Sequence, residues 1–243
     1  MTEQEFTIDG ADGAIPCFSV QPDGEGPFPA VILYMDAPGI REELRDFCRR
    51  IAGEGYFCLM PDMYYRLGTI RFETPLVDPK KREHMFECMG TLNNPAVMRD
   101  TEAMLGYLDA HDAVKRGAKG CIGYCMSGQY VVTAAGTYPD HFTASASLHG
   151  VRIVTDEADS PHLLADKISG ELYLGFASHD EHVPDHVIPD LQATLDDKDV
   201  DYVLDIFPDT GHGFVFPARE IYREGPAEDS WKRVFDLYAR RLG

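Results

Sequence analysis

The chain has 243 residues and a formal net charge of −19, from 22 basic and 41 acidic side chains. A surface this negative repels nucleic-acid phosphates and anionic lipids, so neither a nucleic acid nor a membrane is an expected partner. No stretch approaches the ~18 uninterrupted apolar residues of a membrane span, and the opening MTEQEFTIDG lacks a signal-peptide pattern, so a cytoplasmic location is expected.

The first third of the chain predicts a hairpin followed by a strand, a helix and a strand. Residues 5–20 (EFTIDGADGAIPCFSV) have the pattern of a β-hairpin that turns at its Gly/Asp cluster. PAVILYMD (29–36) is a continuous apolar run, which is typical of a strand buried on both faces. REELRDFCRRIAGEG (41–55) follows with helical spacing, and YFCLMPDMY (56–64) predicts the next strand.

The rest of the chain continues this alternation after one irregular segment. Residues 65–94 are polar, with one short predicted helix (DPKKREHMFECM), and indicate an insertion near the mouth of a site. The later pattern predicts four helices, over residues 95–111, 127–138, 183–199 and 226–242. Between them it predicts four strands, over residues 119–125, 143–150, 171–180 and 200–213. Such alternation predicts a mostly parallel sheet with crossover helices, in a single α/β domain over residues 1–243.

The segment GYCMSG (123–128) lies where a predicted strand meets the following helix. A nucleophile at such a junction needs a sharp turn, and large residues two places to either side would collide with the surrounding chain. Gly123 and Ser127 supply the small residues around Cys125, whereas a nucleophilic Ser127 would put the large Gln129 in the second small position. Cys125 is therefore the predicted nucleophile. The alternative is a core cysteine, because free cysteines are commonly buried.

Two further candidates follow in the order nucleophile, acid, histidine that α/β-hydrolases use. Asp180 is the last residue of the strand predicted over 171–180, and His212 lies near the end of the strand predicted over 200–213. Open parallel sheets place their sites at the carboxyl ends of strands, so both side chains are expected near Cys125. An imidazole there can move a proton, and a carboxylate can orient it. Three nearby acids compete with Asp180 for that role: Glu181, Asp185 and Asp209.

The same region also offers an alternative interpretation, a metal site, because HDEHVPDH (179–186) contains three histidines between acids. His182 and His186 have the i, i+4 spacing that can bind a metal from one helix, but Pro184 interrupts such a helix. No metal and no cofactor are therefore expected. The six cysteines contain no CxxC pair and are expected to be reduced thiols.

With these motifs placed, the sequence resembles the dienelactone hydrolase family of α/β-hydrolases, whose members carry a cysteine at this turn. The resemblance covers nearly the whole chain through VILYMDAPGIREEL, PDMYYR, GYCMSG, FASHDEHVP and GHGF, of which GYCMSG is the most specific. It implies the α/β-hydrolase fold, with helices on both faces of the sheet. It also implies hydrolysis of a carboxylic ester or lactone by a Cys125–His212–Asp180 triad, through a thioester acyl-enzyme. The implied oxyanion hole consists of the backbone N–H groups of Met126 and Ala37.

The resemblance extends to further site residues, with departures. Asp36 stands where members commonly have a glutamate that helps to ionise the thiol, and the same role is expected of this shorter acid. Arg82 matches one of two arginines that bind the substrate carboxylate in the dienelactone-cleaving enzymes. Phe216 stands at the position of the other arginine, and Phe86 replaces a usual tyrosine. With Phe214, these residues are expected to bind substrate, with the alternative that Phe214 and Phe216 are ordinary core or rim aromatics. The missing arginine favours a less charged or bulkier substrate than dienelactone.

The sequence thus predicts a hydrolase of a small-molecule ester or lactone, acting as a monomer or homodimer. Within the enzymes, the alternative is a thioesterase or another acyl hydrolase that uses the same triad. From another class, the alternative is a non-catalytic ligand-binding member of the fold. Such a protein would form no acyl-enzyme, and its ligand binding would be unchanged in Cys125→Ala.

Overall fold

Eight strands form one sheet in the computed structural model, which describes residues 1–243. The strands are β1 (Thr2–Gly10), β2 (Gly13–Gln21), β3 (Phe28–Tyr34), β4 (Phe57–Pro61), β5 (Val114–Tyr124), β6 (Phe142–Leu148), β7 (Glu171–His179) and β8 (Tyr202–Gly211). Their order across the sheet is β1-β2-β4-β3-β5-β6-β7-β8. The hairpin β1–β2 is antiparallel, and β2 pairs with β4 in antiparallel register. The six strands β3 to β8 are parallel to one another. The predicted mostly parallel sheet is confirmed.

Six α-helices connect or flank these strands: α1 (Glu42–Gly53), α2 (Pro79–Gly90), α3 (Asn94–Ala110), α4 (Gly128–Thr137), α5 (Val187–Asp197) and α6 (Glu224–Leu242). Short 3₁₀ segments cover Tyr65–Leu67, Cys125–Ser127 and Pro161–Lys167, and the last of these was not predicted. The helix predicted over 183–199 starts later, because the chain turns first: the N–H of Val183 bonds to the carbonyl of Asp180 at 3.1 Å. None of the helices is long and apolar enough to cross a membrane.

Two glycines of β5 show that helices cover both faces of the sheet. A Cβ on Gly120 would lie 3.0 Å from Leu242 and 3.1 Å from Tyr238, which both belong to α6. A Cβ on Gly123 would lie 2.8 Å from Val131 of α4. Residues three apart on a strand point to opposite faces, so α6 and α4 pack on opposite sides of β5. The expected α/β-hydrolase layering is confirmed.

The parallel strands end at one edge of the sheet, and the loops that follow them carry the polar side chains of the candidate site. Asp36 follows β3, Cys125 follows β5, His149 follows β6, Asp180 follows β7 and His212 follows β8. Ligands of open α/β sheets bind outside the carboxyl ends of the strands. This edge is therefore where the chemistry of the protein is expected.

Candidate active site

Cys125 begins the turn between β5 and α4 in a strained backbone conformation. Its φ is 54°, in the left-handed region that few non-glycine residues adopt. Ser127 holds this turn, because its Oγ accepts a 2.8 Å hydrogen bond from the N–H of Tyr124 and lies 3.0 Å from the carbonyls of Tyr34 and Tyr124. Ser127 is fully buried, whereas Cys125 is partly exposed. The serine supports the turn and the cysteine faces outward.

Close packing fixes the turn from its other side. A Cβ on Gly128, at the start of α4, would lie 2.6 Å from Ser147 Oγ and still closer to the Cα of Gly150. The N–H of Val151 donates a 3.0 Å hydrogen bond to the carbonyl of Cys125. The turn is thus joined directly to the loop after β6, and no larger residue fits at position 128.

Asp180 and His212 form a short hydrogen bond at the ends of β7 and β8. Asp180 Oδ2 accepts a bond of 2.7 Å from His212 Nδ1, and its Oδ1 accepts one of 3.0 Å from the N–H of His182. Because a carboxylate only accepts hydrogen bonds, Nδ1 of His212 carries a proton. His212 Nε2 is buried and has no partner within the protein. It is therefore available to a group in the cleft that His212 and Cys125 both line.

The charge state of His212 depends on these neighbours. Burial disfavours the imidazolium, but the hydrogen bond to Asp180 and the adjacent Cys125 outweigh burial and raise the pKa of His212 to about 9. The side chain of His212 is only 13% exposed, so solvent screens these interactions weakly. The site therefore favours a cationic imidazole at neutral pH.

Two other imidazoles flank the ring of His212. The centroid of His149 lies 5.0 Å away and that of His182 lies 4.7 Å away, both in edge-to-face contact. His149 is fully buried and neither of its ring nitrogens has a partner. Burial holds the pKa of His149 well below its ordinary value, so this ring stays neutral. His149 was not predicted, and His182 was considered only as a metal ligand.

Asp36 is fully buried behind the site and is engaged by two arginines. Its Oδ1 accepts a 2.5 Å hydrogen bond from a guanidinium nitrogen of Arg41, and its Oδ2 accepts one of 2.5 Å from a guanidinium nitrogen of Arg219. Asp36 makes no hydrogen bond with Cys125, so its expected role in ionising the thiol has no contact that supports it. The next residue, Ala37, lines the cleft, and its N–H makes no hydrogen bond within the protein.

The cleft at Cys125 has a volume of about 870 Å³, within the range of small-molecule sites. One wall comes from the segment expected to be an insertion: Thr74, Pro75, Leu76, Val77, Arg82, Met85, Phe86 and Met89. The other lining residues come from the loops at the strand ends: Ala37, Pro38, Cys125, Val151, Arg152, Glu181, His182, His212, Arg219, Glu220 and Ile221. Arg82 and Phe86, which were expected to bind substrate, both line this cleft.

Comparison with known proteins places this architecture in a family. The sequence model of the dienelactone hydrolase family matches residues 15–242. The chain belongs to this family. Putative carboxymethylenebutenolidases of Methylorubrum extorquens and Synechocystis sp. are 27% and 28% identical to it, over 96% and 97% of this chain and 79% and 96% of theirs. A putative dienelactone hydrolase of Klebsiella pneumoniae has a TM-score of 0.87 at 22% identity, with 98% of each chain covered. The protein is accordingly an ester or lactone hydrolase.

Two expected substrate contacts of this dienelactone hydrolase family member lie elsewhere. Phe214 and Phe216 are fully buried and do not line the cleft. The chain after His212 turns back on itself, since the N–H groups of these residues bond to the carbonyls of Gly211 and Gly213 at 3.1 Å each. Phe216 stacks on Phe47 with ring centroids 5.5 Å apart. Both rings support the loop from the core, and the prediction that they contact substrate is corrected.

Two arginines of this family member's cleft were not predicted. Arg219 donates to Asp36 and lies 4.1 Å above the ring of Phe216, three residues beyond the position at which the second arginine was sought. Arg152 is exposed in the loop after β6, with a left-handed φ of 57°, and forms no ion pair. Neither position carries a local sequence signal, because long-range loop packing brings both to the cleft.

Replacing Asp180 with asparagine tests the linkage between His212 and stability in this family member. The pKa of His212 is raised from 6.5 to about 9, so the stabilisation is complete below pH 6.5 and is lost as the pH rises through 9. Asp180→Asn is therefore expected to lower the free energy of unfolding by about 2 kcal/mol at pH 6 and by much less at pH 10. Thermal unfolding of both proteins across this range measures the difference, and a constant difference would contradict the linkage.

Proposed function

We propose that the protein hydrolyses its ester or lactone through a thioester acyl-enzyme on Cys125, with His212 and Asp180 completing a triad. The observation that carries this proposal is the 2.7 Å bond between Asp180 and His212 Nδ1, which leaves Nε2 free in the cleft that Cys125 lines. The strained turn supports the same role, because strain of this kind is typical of functional residues.

In the first step, the proton of the Cys125 thiol passes to His212 Nε2, which gives a thiolate paired with an imidazolium, and the sulfur then attacks the substrate carbonyl carbon. The carbonyl oxygen becomes an oxyanion, which accepts hydrogen bonds from the N–H groups of Ala37 and Met126. The tetrahedral intermediate then collapses as His212 donates its proton to the leaving alkoxide oxygen. The C–O bond breaks, and a thioester to Cys125 remains.

In the second step, His212 deprotonates a water molecule that attacks the thioester carbonyl. The C–S bond breaks, the acid product leaves, and the sulfur regains its proton from His212. Asp180 keeps the imidazole proton on Nδ1 and stabilises the cation that forms in both steps. The raised pKa of His212 is consistent with this function, since the imidazolium pairs with the thiolate before attack.

The substrate in this proposal carries an anionic group. Arg82 and Arg152 are both exposed at the cleft, and neither forms an ion pair, whereas the charge of Arg219 is shared with Asp36. The chain as a whole is strongly acidic and the cleft is also lined by Glu181 and Glu220, so the two arginines without ion pairs are the places where an anionic group would bind. The expectation of a less charged substrate rested on the phenylalanine at position 216. Arg152 supplies positive charge from another loop.

A substrate panel tests both parts of this proposal. It comprises a lactone, an acyl thioester, and two aryl esters that differ only in a terminal carboxylate or its methyl ester. We expect turnover of the lactone and both aryl esters, with higher kcat/KM for the carboxylate. Arg152→Ala is expected to raise KM for the carboxylate ester by about tenfold and to leave the methyl ester unchanged.

Arg116→Ala is the matched control, because Arg116 is also exposed but lies in β5 far from Cys125. If the protein hydrolysed neither the aryl esters nor the lactone, that result would contradict the proposed reaction. If kcat/KM were equal for the two aryl esters, both in the parent protein and in Arg152→Ala, that result would contradict the proposal that the substrate carries an anionic group. Much faster turnover of the thioester would favour the thioesterase alternative.

A further inference from the structure

Tyr64 connects the two loops that carry the candidate oxyanion donors. It lies in the loop after β4, which contributes no member of the triad, and its side chain is fully buried. Its hydroxyl donates a hydrogen bond of 2.8 Å to the carbonyl of Ala37. The same oxygen lies 3.5 Å from the sulfur of Met126. One phenol therefore touches both residues whose N–H groups are assigned to the oxyanion.

The position of Tyr64 is itself fixed by the end of β4. Asp62 Oδ1 accepts a 3.1 Å hydrogen bond from the N–H of Tyr64, and its Oδ2 accepts one of 2.6 Å from Arg71. The N–H of Asp62 bonds to the carbonyl of Pro16 on the neighbouring strand at 2.8 Å. Gly39, whose φ is 82°, lies against the ring of Tyr64. A Cβ on Gly39 would be 3.7 Å from that ring. Tyr64 thus projects from a rigid turn beneath a tightly bent loop.

The hydroxyl of Tyr64 is a permanent donor. Burial raises the pKa of this phenol well above its ordinary value, so the hydroxyl keeps its proton at neutral pH. The carbonyl and the N–H of Ala37 belong to two planar peptide units that are joined at its Cα, so anchoring the carbonyl oxygen limits the rotations by which the unit that carries the N–H can move. The direction of the Ala37 N–H is therefore restricted as well.

We propose that Tyr64 is a positioning residue for the oxyanion hole, which holds Ala37 and Met126 so that their N–H groups converge on one oxygen. This inference rests on the proposed function, because it requires those two groups to bind the oxyanion. Loss of a whole oxyanion donor lowers kcat by about 10²–10³-fold, so misdirecting one is expected to cost less.

Tyr64→Phe removes only the hydroxyl, and we expect kcat to fall by about 10–30-fold while KM stays within about twofold. Tyr238→Phe is the matched control. Tyr238 is also a fully buried tyrosine whose hydroxyl donates to a main-chain carbonyl, that of Cys121 at 3.1 Å, but it lies on α6. Both variants are expected to lower Tm by roughly 2–4 °C, and only Tyr64→Phe should lower kcat.

A comparison of an ester with its thiono analogue adds a readout that a loss of stability would not change. Sulfur accepts hydrogen bonds more weakly than oxygen, so a well-placed oxyanion hole favours the oxygen ester. The oxygen-to-thiono ratio of kcat should fall by about tenfold in Tyr64→Phe and stay unchanged in Tyr238→Phe. Alkylation of Cys125 by iodoacetamide forms no oxyanion, and its rate should be equal in all three proteins.

The outcomes separate this inference from the proposed function. An unchanged kcat and ester ratio in Tyr64→Phe, with Cys125→Ala inactive, would overturn the role of Tyr64 and leave the acyl-enzyme proposal standing. Equal losses of kcat in Tyr64→Phe and Tyr238→Phe would also overturn it, since the effect would then belong to the fold. Full activity of Cys125→Ala would remove the proposed function and this inference together.

Discussion

Cys125→Ala is expected to lower kcat/KM for the ester or lactone by about 10³–10⁴-fold, because no other side chain replaces the nucleophilic sulfur. Alanine keeps the Cβ of cysteine, so the strained turn at φ of 54° is not relieved or worsened by the change. The cleft and the two main-chain donors also remain. The residual rate should therefore report binding and oxyanion stabilisation alone.

Steady-state turnover and intact mass spectrometry after rapid quenching measure this effect. The parent protein should gain the mass of the acyl group, in a hydroxylamine-sensitive form, and Cys125→Ala should not. Cys17→Ala is the matched control, since it also removes a thiol but in the buried strand β2. An acylated Cys125→Ala protein would exclude the thioester route. Ligand binding without turnover in the parent would favour the non-catalytic alternative.

His212→Gln is expected to lower kcat/KM by about 10³–10⁴-fold, comparable to the loss of the sulfur itself. The imidazole takes the thiol proton, protonates the leaving group and activates water, and glutamine can do none of these. Residues that act as one unit are not additive in their effects. The double variant Cys125→Ala/His212→Gln should therefore be no slower than either single variant.

His179→Gln is the matched control for this experiment. His179 is the last residue of β7, next to Asp180, but its side chain is exposed and does not line the cleft. Its replacement should leave kcat/KM within about twofold of the parent. Additive losses in the double variant would show that His212 and Cys125 act in separate steps, which would contradict the triad.

The turn at Cys125 was predictable because its requirements are local. A sharp strand-to-helix turn needs small residues at fixed spacing, and Gly123 and Ser127 supply them within five positions. The order of strands and helices followed from hydrophobic patterning for the same reason. Residues 30–36 of the run 29–36 are buried, as the apolar sequence of the run indicated.

The rest of the cleft was not predictable, because it depends on contacts between distant loops. Asp36 and Arg219 are 183 residues apart, and no local pattern links them. Tyr64 and Ala37 belong to the loops of different strands, so their hydrogen bond becomes visible only once β3 and β4 are paired. The sequence placed Phe214 and Phe216 near His212, but two tight turns decide that both rings point inward.

The unequal burial of the thiols also provides a way to count working enzyme molecules. Five of the six cysteines are buried and Cys125 alone is partly exposed. Burial raises the pKa of both Cys17 and Cys121 to about 12, which suppresses the thiolate that electrophiles require. A chromogenic disulfide should therefore react with native protein in a one-to-one stoichiometry. The colour released would give the concentration of intact sites in any preparation, without knowledge of the physiological substrate.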